Sequence, residues 1–158
     1  MFYGCGNLKS FSSDLPNLTD GDSMFYGCGN LKSFSTDLPS LASGENMFTN
    51  CDNLTSFSSD LPNLRNGSRM FYQSTLSSFS SDLPNLRNGS RMFYQSTLSS
   101  FSSDLSSLTD GRHMFYKCSN LTSFSTDLPS LTDGRHMFYD CSNLESFSSK
   151  LGSLKSGF

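Results

Sequence analysis

The sequence predicts a solenoid of seven short coils, mainly parallel β on one side with turns or short helical segments opposite. Three observations predict it. A unit of 23 residues, M-F-Y-x-C-x-N-L-x-S-F-S-x-D-L-P-x-L-x-x-G-x-x, opens at Met1, Met24, Met47, Met70, Met92, Met114 and Met137, with two copies shortened to 22. Apolar residues keep one column from copy to copy. A glycine closes every copy, at Gly21, Gly44, Gly67, Gly89, Gly111, Gly134 and Gly157. Units this short cannot bury an apolar face alone; they do so by stacking on their neighbours. Residues 1–158 then form one domain.

Each element of the unit follows from its residues. Leu8-Lys9-Ser10-Phe11-Ser12-Ser13 suits a short strand, with Leu8 and Phe11 inward and Phe supplying the strand preference that Val and Ile, both lacking, would otherwise bring. Stacked copies of it would lie about 4.8 Å apart in a parallel sheet. Asp14-Leu15-Pro16 ends the strand, because proline has no N–H for a central ladder. Leu18 turns inward again, and the glycine serves a positive φ or a close backbone approach. The Met-Phe pair then fills the core from the return side, in a short helical or irregular turn. The inward set per coil is Met, the first Phe, Cys, the first Leu, the second Phe and both later Leu.

Composition narrows the function. About a fifth of the residues are Ser and only Ala42 is alanine, a bias that normally signals disorder. Here it reflects duplication: Phe57–Leu83 recurs unchanged as Phe79–Leu105. The net charge of −3, with no basic run, speaks against a nucleic-acid partner. No apolar stretch has the length of a membrane span, so membrane insertion is not expected. The chain opens on the first residue of a repeat with no signal peptide, which suits either a true start or a piece of something longer.

The run M-F-Y-x-C-x-N-L-x-S-F, with glycine three residues before the Met, resembles the BspA-like (Treponema-type) leucine-rich repeats of bacterial surface proteins and some protists. That pattern reads A-F-x-x-C-x-x-L-x-x-I at the same offsets and period. The likeness covers the whole chain. It departs in Met for Ala, Phe for Ile and Ser-Asp-Leu-Pro for Ile-Pro. It implies a leucine-rich-repeat solenoid with a non-catalytic role in adhesion or protein contact, outside the cell or on its surface, with no cofactor.

Several columns invite chemistry. Cys5, Cys28, Cys51, Cys118 and Cys141 align, but their number is odd and Ser74 and Ser96 replace them, so buried structural thiols are expected. Asn7, Asn30, Asn53, Asn120 and Asn143 are expected to be buried amides serving the turn; Ser74-Thr75 and Ser96-Thr97 are its second solution. Asp14, Asp37, Asp60, Asp82, Asp104 and Asp127 form a row of like charges. Either each accepts its own turn's N–H groups, or the row binds a divalent cation such as Ca²⁺. His113 and His136 stand near serines and aspartates, yet no G-x-S-x-G or phosphate loop is present, and no enzyme is expected. The exposed serines, from Ser10 and Ser12 onward, also make a regular hydroxyl surface of the kind that binds ice or polysaccharide.

The ends carry the sharpest expectation. No capping repeat is evident, so both ends expose a cross-section of core. The column headed by Lys9 ends at Glu145, and the aspartate column headed by Asp14 ends at Lys150. Head-to-tail stacking would set Glu145 beside the next chain's Lys9, and Lys150 between Asp127 and the next chain's Asp14. Such a contact propagates as a filament. Phe158, in a column otherwise polar, is a candidate self-association residue or makeshift cap. The partner is therefore another copy, or another protein docking as on an adhesion module.

Overall fold

The computed structural model describes residues 1–157; Phe158 lies outside them. Six two-residue strands carry the Ser-Phe of successive coils: β1 (Ser33–Phe34), β2 (Ser56–Phe57), β3 (Ser78–Phe79), β4 (Ser100–Phe101), β5 (Ser123–Phe124) and β6 (Ser146–Phe147). They pair in parallel and in register as β1–β2, β3–β4 and β5–β6. A second parallel ladder runs on the return side, by single bridges through Asp20, Ser43, Asn66, Asn88, Asp110, Asp133 and Ser156. No helix occurs among the described residues, so of the two expectations for the return side the irregular turn is the correct one.

That turn holds the array together. Backbone N–H groups point alternately to the next coil and back within their own. Gly21, Ser23, Phe25 and Gly27 donate to Ser43, Glu45, Met47 and Thr49 at 2.8–3.0 Å, while Met24, Tyr26 and Cys28 donate to Gly21, Ser23 and Phe25 at 2.9–3.2 Å. The rung from the first Phe to the next Met repeats without a break: Phe2 to Met24, Phe25 to Met47, Phe48 to Met70, Phe71 to Met92, Phe93 to Met114 and Phe115 to Met137. Closing the turn needs a left-handed residue before Met and another three residues after it. Gly27 takes the second place at φ 70°, and Asn50, Gln73, Gln95, Lys117 and Asp140 hold it at 55–59°. Positive φ at the third place of a four-residue turn marks type II, which normally selects Gly or Asn.

The expected inward set is the core. In the second coil Met24, Phe25, Cys28, Leu31, Phe34, Leu38 and Leu41 are all buried. Two files of phenyl rings run down the middle. The Phe25 file stacks at 5.3–5.6 Å and the Phe34 file at 5.7–6.0 Å. Rings of the two files meet mostly edge to face, an arrangement favoured by the aromatic quadrupole. On the outer turn edge the Tyr pairs stack at 4.6–5.0 Å.

These spacings explain why the strands are shorter than the six residues expected. Parallel backbones bond at about 4.7–4.9 Å. Coil spacing matches that value at the tyrosines and widens toward the strand side, where stacked phenyls hold the coils apart. On the strand side the first gap keeps a single rung, Lys32 to Lys9 at 3.4 Å, and paired strands form only in alternate gaps. Leu38, Leu83 and Leu128 donate across theirs at 3.3, 3.2 and 3.0 Å, to Asp60, Asp104 and Lys150. Two intervening gaps open as shallow grooves of about 420 Å³ between Asp14 and Asp37 and about 340 Å³ between Asp60 and Asp82.

Candidate functional site

Four of the five thiols are structural. Cys28, Cys51, Cys118 and Cys141 each set Sγ 3.0–3.2 Å from the carbonyl of the first Phe in the preceding coil. Burial pushes Cys51 and Cys118 up to about 12 and Cys141 to about 11, and raises Cys28 as well. Cys5, in the first coil, departs from the expectation of burial and is exposed.

The asparagine column is also exposed rather than buried. Its role in the turn still stands, since Asn30 and Asn53 Nδ2 donate to the carbonyls of Gly6 and Gly29, each at 2.6 Å. In the short copies Thr75 and Thr97 Oγ1 reach back to Leu54 and Leu76 instead, at 3.1 Å. One turn has two solutions.

The aspartate row is held chiefly by neighbouring coils, not by each residue's own turn. Asp37, Asp82 and Asp127 accept the backbone N–H of Asp60, Asp104 and Lys150 at 3.5, 3.2 and 3.0 Å. Only Asp104 accepts from its own turn, from Ser106 at 2.8 Å. The hydrogen bond from Lys150 Nζ, at 3.0 Å, holds Asp127 below the usual carboxylate range. Asp14 and Asp60 face the two open grooves in pairs with Asp37 and Asp82. Among the described residues no three Asp, Glu, His or Cys side chains converge as a metal site would require.

A polar ladder that sequence reasoning missed lines the return side. Asp20, Asn66, Asn88, Asp110 and Asp133 each accept the N–H two residues on, at 3.0–3.2 Å. Arg112 grips Asp110 at 2.9 and 2.7 Å and reaches Asp133 at 3.5 Å, while Arg135 grips Asp133 at 3.0 and 2.7 Å. The available signal was a short oxygen-bearing side chain directly before the glycine that closes each repeat. His113 and His136 pack ring on ring at 5.0 Å, and His113 Nδ1 is buried without a hydrogen-bond partner. A relay through that nitrogen to an aspartate is therefore not assembled.

The ends remain. Lys9, Asp14 and Glu145 are exposed, and the first coil lies at the opposite end of the array from Glu145 and Lys150. Phe158 falls outside the described residues. At the first coil Met1 is 95% exposed and Tyr3 65%. At the last, Tyr139 is exposed, and Phe147, Leu151 and Leu154 are exposed around an apolar cup of about 110 Å³.

Compared with known proteins, the chain matches the family model described as BspA type Leucine rich repeat region (6 copies), over residues 1–95 and 85–156. No curated protein and no solved structure matches it. Among the described residues no helix is long and apolar enough to cross a membrane. With its repeat columns, parallel rungs and family match in agreement, the chain belongs to the BspA-type leucine-rich repeat family.

Proposed function

We propose that the chain is a non-enzymatic scaffold acting by protein–protein contact, and that its specific mode is end-to-end self-association into a filament. One observation carries this: both cross-sections of the core are apolar and exposed, and two charge columns change sign between them. Met1 and Tyr3 lie on one cross-section, Phe147, Leu151 and Leu154 on the other. Lys9 would meet Glu145, and Asp14 would meet Lys150, which already holds Asp127 at 3.0 Å in its own chain. Adhesion at a cell surface, by a monomer that docks a different protein, is the second reading, favoured by family membership.

Electron microscopy over a concentration series, at low and high salt, tests the proposal. Filaments with an axial repeat of roughly 34 Å, for coils stacked near 4.8 Å, are expected. Glu145→Lys with Lys150→Glu should weaken assembly at low salt, where surface charges are least screened. Adding Lys9→Glu and Asp14→Lys should restore it. Unchanged assembly in the first double variant removes the electrostatic part, and dispersed monomers throughout move the function to the second reading.

A further inference from the structure

Inside the array, every glycine before a Met is roofed by the Met of a later coil. A Cβ on Gly21 would stand 3.0 Å from Met47 Sδ, one on Gly67 3.1 Å from Met92, and one on Gly89 3.0 Å from Met114. Gly111 repeats the contact with Met137 at 3.1 Å. The glycine is the floor of a socket and the next methionine its plug. Gly134 breaks the series: its neighbours are Leu131, Leu154 and the Ser156 carbonyl, and the space beside it is the cup of about 110 Å³. That size is comparable to engineered cavities that accept a benzene-sized apolar guest.

The backbone repeats the pattern. Each first Phe donates its N–H to the following Met carbonyl, and Gly4, Gly27, Gln73, Gln95 and Lys117 donate to the carbonyl two residues further on. Phe138 and Asp140 hold those places in the last coil, and their N–H groups find no backbone acceptor among the described residues. The first coil presents the matching plug, since Met1 is 95% exposed.

We infer that the cup over Gly134 is a socket for Met1 of a second copy of this chain. Resting on the self-association reading, this fixes the junction to one register. The Phe138 N–H meets the Met1 carbonyl, the Asp140 N–H meets the Tyr3 carbonyl, and Cys5 is covered with its thiol against the Phe138 carbonyl. The junction thus reproduces the internal contacts of Phe2 with Met24 at 2.9 Å and Cys28 with Phe2 at 3.1 Å.

Sedimentation velocity over a concentration series, paired with the reaction of Cys5 with Ellman's reagent, tests the register. Cys5 is the one exposed thiol, and burial raises the other four, so the fast phase reports Cys5. Association is expected to slow that phase at least tenfold. Met1→Gln and Leu154→Arg should each weaken association at least tenfold with an unchanged circular dichroism spectrum. Leu154 is 37% exposed, so the second change is compatible with folding. If the chain assembles but both variants match the parent, or Cys5 stays fast in the assembly, the socket is wrong while self-association stands. If Phe158→Ser strengthens assembly and Met1→Gln does nothing, the chain's own Phe158 fills the cup and the inference falls. A chain monomeric at every concentration overturns both.

Discussion

Replacing Phe71 by alanine should cost far more than the same change at Phe147, although both rings occupy core files. Phe71 is fully buried and stacks on Phe48 and Phe93 at 5.5 Å. It also meets Phe57 at 4.8 Å and Phe79 at 5.5 Å. Phe147 is 45% exposed and has two ring partners, Phe124 at 5.7 Å and Phe138 at 5.5 Å. A buried Phe→Ala change costs about 3–5 kcal/mol in transfer and cavity terms, within which each aromatic pair contributes about 0.5–1.5 kcal/mol. Half the partners and about half the burial place Phe147→Ala near 1.5–2 kcal/mol. Urea unfolding followed by far-ultraviolet circular dichroism reads the difference. With a slope of about 2 kcal/mol per molar, the midpoint should fall by about 2 M for Phe71→Ala and by under about 1 M for Phe147→Ala. Equal shifts would refute the view that stability is a sum over neighbouring coils.

Two further outcomes follow from the turn side. Gln95 sits at φ 55°, in a column where the first two coils carry Gly4 and Gly27. Gln95→Gly should leave stability unchanged or raise it by about 0.5 kcal/mol, relief of the left-handed strain offsetting the greater freedom of unfolded glycine; Gln95→Val should lower it by about 1–2 kcal/mol. A valine variant as stable as the parent, by thermal melting, removes the argument. His113 is held below its ordinary pKa first by burial, then by the positive charge of Arg91, His136, Arg112 and Arg135. Between that depressed value and about 6.5 the unfolded chain binds more protons than the folded one, so stability is full above about pH 6.5 and declines as pH falls below it. Asp127 and Asp133, depressed by Lys150 and Arg135, contribute in a separate window: their stabilisation is lost as pH falls below about 3.9. His113→Asn, which tolerates the positive φ there, should shrink the fall in melting temperature between pH 7.5 and 5.5; an unaltered fall would assign it to other groups.

The inward columns were legible because burial in a solenoid is decided by position in the repeat, and position is what a period displays. Met24, Phe25, Cys28, Leu31, Phe34, Leu38 and Leu41 could all be named from spacing. Hydrogen-bond partners were harder to read, since they depend on coil separation, which no single repeat encodes. Asn30 was expected inside and lies outside, bonding to the coil before it. Asp37, for which the sequence offers its own turn or a divalent cation, accepts from the next coil's Asp60 instead. The ladder from Asp20 to Asp133 escaped notice because two residue types, Asp and Asn, share one acceptor role and Ser43 interrupts the series.

Strand shortness has the same origin. Side chains and backbone set two different spacings, and a stack must choose where to satisfy each. The phenyl file at 5.7–6.0 Å lies on the strand side, where the backbone pairs as strands only in every second gap. The turn side, with tyrosines at 4.6–5.0 Å, keeps its rungs in every gap. Cohesion along the array therefore rests on the Gly-x-x-Met-Phe turn, the segment that also holds the glycine socket and its methionine plug. On the proposed end-to-end reading, a contact that extends the array would gain its rungs chiefly at that turn. On that reading the exposed Met1 and the cup beside Gly134, together with the charges flanking them, would join one chain to the next.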